Sequence, residues 1–247
     1  MFDIARFEFR RMFLSPLAWI VLALIQFVLA MLFYMLLSQY LQEPALYAGR
    51  GLTEVVVGGF YQSAGFILLL ITPFITMRLL SEELRTGTIK LLLSSPLAIT
   101  GLVLGKYLGC LLFMLCLLLL ISLMPAGLML GTRLDYGQFA AAILGLALLM
   151  CSFSAIGLFI SSLFRHPAMA AIATFALALM LWTSHVAGMG NDTAVASVFN
   201  YLSMLVHYSP FTLGIFNAVD FIYFLLLTVT FILLSIWRID ALRTHHW

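Results

Sequence analysis

The chain has 247 residues, of which 64% are hydrophobic and 9% charged, with a mean hydropathy of +1.14. A soluble domain carries about 25% charged residues, so the composition excludes a water-soluble protein and specifies an all-α polytopic membrane protein. The formal net charge of +2 is not pooled on a soluble face, which gives no sign of a nucleic-acid partner and leaves the lipid bilayer as the first one.

In chain order, residues 1–16 predict an amphipathic interfacial helix. Phe2, Ala5, Phe9, Met12 and Phe13 cluster on one face, with Asp3, Arg6 and Arg10 broadly opposite. Such a helix should lie flat on the membrane surface before Ser15-Pro16 turns into the first span. The apolar run that follows is too long for a cleavable signal and reads as a retained signal-anchor. A spanning helix needs about 20 mainly apolar residues. Six runs qualify, near 17–41, 60–80, 107–130, 139–163, 168–187 and 219–237. They divide the chain into spans one and two (17–80), a charged connector (81–106), spans three to five (107–187), a segment at 188–217, and span six with a tail (218–247). Cys110, Cys116 and Cys151 lie in apolar runs without metal or disulfide spacing, as packing residues would.

Orientation follows from Lys and Arg placement. Arg6, Arg10, Arg11, Arg78, Arg85, Lys90, Lys106, Arg165, Arg238 and Arg243 fall on one side, and Arg50 and Arg133 on the other. This bias predicts that both termini are cytoplasmic, as an even number of spans requires.

The span interiors hold almost no ionisable residues. Gln26 is the clearest polar side chain at depth, while His185 and Asp220 lie near span ends. A proton-coupled transporter needs a carboxylate or histidine relay at depth, so that class is disfavoured. His166, His207, His245 and His246 fall in loops or the tail without ligand spacing, which argues against haem or metal. Ser152, Ser154, Ser161 and Ser162 have no nearby acid or base and read as helix–helix hydrogen bonders rather than nucleophiles. An intramembrane enzyme therefore has little support.

The charged connector is the exception in this apolar chain. It carries Glu82, Glu83, Arg85, Thr86, Gly87, Thr88 and Lys90. At about 100° per residue, Glu83, Thr86, Gly87 and Lys90 share a polar face expected to point to cytosol or a partner. Gly87 is expected to end one short helix, with Thr88 capping the next, and Pro96 marks a second break. Gly101, Gly105 and Lys106 imitate a phosphate-binding loop. That loop requires four residues between its glycines and Ser or Thr after Lys, whereas here there are three, then Tyr107. Gly101, Gly105 and Gly109 recur every fourth residue instead, which makes a helix-packing stripe. The chain thus has neither a nucleotide site nor an ion-coupling site.

The run Thr76-Met77-Arg78-Leu79-Leu80-Ser81-Glu82-Glu83, then Gly87-Thr88, Leu91-Leu92-Leu93-Ser94-Ser95-Pro96 and Gly105-Lys106, resembles the cytoplasmic signature of type-2 ABC exporter permeases. Glu8-Phe9-Arg10-Arg11, Ser15-Pro16-Leu17-Ala18, Tyr208-Ser209-Pro210 and Asp220-Phe221-Ile222-Tyr223-Phe224 resemble the gliding-motility-associated and nitrous-oxide-cluster branch. The resemblance implies a non-catalytic subunit in the bacterial inner membrane. It would pair with a second permease subunit, the same or different, and two copies of a cytoplasmic ABC ATPase, with room for a membrane-anchored accessory protein. ATP and magnesium would sit on the ATPase and no cofactor on this chain. Glu82 to Leu93 would form the coupling helix, residues 1–16 a connecting helix, and 188–217 re-entrant helices at the outer mouth. Lys90 stands where the family commonly has Glu, which reverses a charge toward the ATPase. A second reading is a non-transporting membrane anchor or mechanotransmitter acting on a periplasmic or accessory partner. The apolar, uncharged interior suggests lipid-like, hydrophobic or amphipathic cargo over free ions.

Overall fold

The structure, a computed structural model, describes residues 2–43, 47, 49, 51–89, 99–129, 131–132, 134–188 and 194–244. Lys90, the leucine run 91–93, Ser94, Ser95, Pro96, Arg50, Arg133, His245 and His246 lie outside the described residues. All the secondary structure of the described residues is helical: α1 (Phe2–Leu14), α2 (Pro16–Gln42), a π-helical turn (Thr53–Gly58) leading into α3 (Gly59–Thr76), α4 (Ser81–Thr86), α5 (Ile99–Leu128), α6 (Tyr136–Leu163), α7 (Pro167–Gly188), α8 (Ala194–Leu202), α9 (Met204–Thr212) and α10 (Ala218–Thr244). Six helices are long and apolar enough to cross a membrane.

Two expected boundaries move. The second spanning helix is continuous with the π turn and begins at Thr53, and the third begins at Ile99 rather than 107. Gly101, Gly105 and Lys106 therefore belong to a spanning helix and not to the connector. The helix tolerates Lys106 because carboxylates from two other elements meet it.

Local sequence explains the helix starts. Pro16 occupies the first turn of α2, where its missing N–H costs nothing. Asp135 caps α6 by accepting from the N–H groups of Gly137 and Gln138. Between helices in lipid there is no strong hydrophobic drive, so close packing and hydrogen bonds hold the bundle. α6 is its hub and packs against α3, α5, α7, α9 and α10. The contacts are close because α6 offers small residues. A Cβ on Gly157 would lie 2.1 Å from Thr76 Oγ1, and one on Gly145 would lie 2.5 Å from Phe211 Cβ. Gly65 on α3 gives the same clearance to the Tyr208 ring, whose hydroxyl donates to the Tyr61 carbonyl at 2.6 Å.

Polar side chains stitch the helices. Gln26 Nε2 donates to the Leu120 carbonyl at 3.0 Å, joining α2 to α5. Ser152 lies 3.1 Å from Thr228 Oγ1, joining α6 to α10. Among the four serines expected to bond between helices, Ser152 and Ser161 do so, and Ser162 bonds the Phe159 carbonyl of its own helix. Ser154 Oγ has no partner among the described residues. The outer faces are apolar. α2 exposes Trp19, Ile20, Leu24 and Phe27, and α10 exposes Leu226, Leu233 and Trp237, as lipid-facing helices do.

The glycine stripe divides. Gly109 is packed so that a Cβ would come 2.7 Å from Glu8 Cβ and 2.9 Å from the Ala5 carbonyl. Gly101 faces open space. Gly157→Val should cost at least the about 1–3 kcal/mol of overpacking, whereas Gly101→Ala should be neutral or stabilise by up to about 1 kcal/mol. Thermal unfolding of the detergent-solubilised variants measures both.

Candidate functional site

The charged connector folds as the six-residue helix α4, with Glu82 and Glu83 in its first turn and Arg85 in its last, matching the helix dipole. Its end is set by Gly87, which adopts the left-handed conformation at φ +76°, a backbone that residues with a Cβ rarely take. Thr86 Oγ1 bonds the Glu82 carbonyl at 2.9 Å and lies 2.9 Å from Thr88 Oγ1. The start of α4 is held by α6. The N–H groups of Leu80 and Ser81 both donate to Ser161 Oγ at 3.0 Å, and Ser161 donates to the Met77 carbonyl at 3.1 Å. One hydroxyl thereby uses its donor and both acceptor sites.

The helix has two unlike sides. Arg85, Thr86 and Thr88 are exposed. Glu83, expected on the outward polar face, turns inward: its Oε1 lies 2.6 Å from Lys106 Nζ on α5. The same ammonium lies 2.5 Å from Glu8 Oε1 on α1. The three side chains are 15%, 1% and 6% exposed, for Glu83, Lys106 and Glu8. The reversal has a plain cause. A buried ammonium costs several kcal/mol unless paired, and Lys106 can be satisfied only by carboxylates brought in from neighbouring elements. A more exposed pair, Arg11 to Glu82 at 2.9 Å, ties α1 to α4 a second time.

α1 is therefore docked into the protein rather than only resting on a membrane surface. Ala5 and Glu8 are buried against α5, over the clearance left by Gly109. Phe13 packs edge-on against Phe113 at 5.3 Å, while Phe2 and Phe7 remain exposed. Gly105 is buried in α5 on the turn before Gly109.

Sequence reasoning missed the triad. Its signal was present: Glu8 falls at the edge of the apolar arc of α1, three residues after Ala5 and four before Met12. A carboxylate there requires a counter-charge. Reasoning also missed a buried pair at the other end of the bundle. His207 Nδ1 lies 2.5 Å from Asp220 Oδ1, Nε2 lies 2.8 Å from the Tyr201 carbonyl, and the ring stacks on Tyr223 at 4.1 Å. Both ring nitrogens face oxygen acceptors, so the pair needs a proton on each nitrogen or one carried by Asp220. It fastens α9 to α10. Among the described residues no three His, Cys, Asp or Glu side chains converge on a point that could hold a metal.

Removing one partner of a buried ion pair costs about 3–5 kcal/mol, whereas replacing the whole set by apolar or neutral groups is close to neutral. Lys106→Met should therefore lower thermal stability sharply, and Lys106→Met with Glu8→Gln and Glu83→Gln should recover most of it. A triple variant as unstable as the single one would mean that the ion pairs are not the cause.

The bundle, its apolar exterior and the charged helix fastened at one end fit one family. The chain matches the family described as ABC-2 family transporter protein over residues 2–241. Against individually curated proteins it has no match. The chain belongs to the ABC-2 transporter family, as a multi-pass transmembrane permease.

Proposed function

We propose that this chain is the permease subunit of an ABC exporter, energised by a separate ATPase that docks on α4 and the residues after it. The carrying observation is the wiring of α4. It is fastened to α1 by Arg11–Glu82, to α5 and α1 by Lys106, and to α6 by Ser161, while Arg85, Thr86 and Thr88 stay exposed. A partner pressing on that exposed side displaces three other helices at once. Arg85, Thr86, Gly87, Thr88 and Lys90 then form the contact with the ATPase, and Glu82 and Glu83 transmit the motion inward. Two ATPase copies bearing ATP and magnesium, a second permease subunit, and cytoplasmic termini in a bacterial inner membrane complete the reading. The ten-to-two Lys and Arg bias supports the orientation. Gliding-motility-associated and nitrous-oxide-cluster permeases remain the branch that the sequence resembles.

The division of labour is testable with the partner ATPase co-expressed. Arg85→Glu should reduce ATPase co-purification by roughly tenfold, the scale of one charge-assisted contact. Glu82→Ala with Glu83→Ala should leave the permease inserted but uncouple or detach the ATPase. If co-purification and turnover are both unchanged in the double variant, α4 is not the coupling element. A reconstituted complex that hydrolyses ATP yet exports nothing would favour a mechanical transmitter over an exporter.

A further inference from the structure

A cavity of about 170 Å³ lies at the end of the bundle that carries α4, where α1, α2, α3, α4 and α5 meet. Its lining is apolar in part, with Met12, Val21 and Phe74, and charged in part, with Arg11, Arg78 and Glu82. Phe74 is largely exposed on α3, a helix long and apolar enough to cross a membrane, so one wall of the cavity lies on the apolar outer surface of the bundle. The volume is below the roughly 300 Å³ at which drug-sized pockets begin. It suits a headgroup-sized fragment whose chains stay in the membrane.

The charged part of the lining carries both signs. Arg78 is exposed and makes no ion pair or side-chain hydrogen bond among the described residues. Arg85 and His166 border the same arginine in the adjoining groove. Glu82 Oε2 accepts from Arg11 Nη2, and its second oxygen has no partner among the described residues. Glu8, buried in the cavity wall, is held with Glu83 by the Lys106 ammonium. A cation without a partner among the described residues and the Glu82 carboxylate thus line one small cavity beside an apolar wall.

We propose that this cavity binds a phospholipid with a small zwitterionic amino headgroup, phosphatidylethanolamine, with its phosphate on Arg78 and its ammonium on Glu82. The charge pattern selects it. Phosphatidylglycerol brings no ammonium for the carboxylate side. Phosphatidylcholine brings a quaternary nitrogen without N–H donors and a bulkier headgroup. The acyl chains lie against Val21 and Phe74. The bound lipid bridges the α1–α2 turn to the end of α3, beside the ion pairs that hold α4.

Native mass spectrometry of the detergent-solubilised full chain, titrated separately with dioleoyl phosphatidylethanolamine, phosphatidylcholine and phosphatidylglycerol, tests the site independently of any ATPase. One tight phosphatidylethanolamine should bind at least about tenfold better than the other two lipids. Arg78→Ala should remove this tight binding. Glu82→Gln should bring phosphatidylethanolamine down to phosphatidylcholine, and Arg165→Ala, elsewhere at the same end, should change nothing. Ala18→Phe, which fills the cavity and leaves every charge in place, should abolish tight binding, so the result does not hang on one variant's folding. Excess inorganic phosphate should not displace the lipid. Equal affinity for the three lipids, a preference that survives Glu82→Gln, or displacement by phosphate alone would overturn the proposal.

Discussion

A lysine ammonium held away from water must be met by carboxylates, and that requirement organises one whole end of this molecule. Lys106 is carried into the bundle by a helix that is otherwise apolar. Two carboxylates reach it, Glu8 from the N-terminal helix and Glu83 from the short charged helix. Each brings its own backbone with it. The placement of α1 against α5, the inward turn of α4, and the need for glycine at 109 where α1 crosses all follow from satisfying that one charge.

The same geometry explains why a chain with so few charges concentrates them here. Apart from the His207–Asp220 pair, polar needs elsewhere are met one hydrogen bond at a time by serine, threonine, tyrosine and glutamine, each a modest contribution. At the α4 end, five charged side chains from three elements form two linked contacts, one buried and one half-exposed. Buried ion pairs are weak as net stabilisers but costly to break singly. They favour one arrangement of α1, α4 and α5 over others, which is the property a moving part needs if it is to pass on a displacement without dissipating it.

Much of this was legible in the residues. The six spans could be read from apolar run length, Gly87 as a helix end from its freedom at positive φ, and the false phosphate loop from its wrong spacing. The start of the third span was misplaced, because a lysine reads as a boundary when its partners are not visible. Glu83 was assigned outward because helical periodicity groups it with Thr86 and Gly87, and periodicity knows nothing of Lys106. The His207–Asp220 pair escaped for a related reason: thirteen residues and a turn separate the two, and no short motif links them. Pairings between distant elements are set by tertiary packing, which a single chain's pattern does not encode.

Ser161 stands near one end of α6, where its hydroxyl grips the backbone entering α4. Near the other end, Gln138 donates to the Thr212 carbonyl and supports the close turn at Gly214, just after α9. Twenty-three residues of unbroken helix separate the two, about 35 Å at 1.5 Å per residue. An α-helix of that length, with no proline in it, resists axial compression. α6 is in mechanical terms a connecting rod, clamped at both ends, and on the proposed reading a stroke delivered to α4 on one face of the membrane arrives at α9 on the other with little lost along the way.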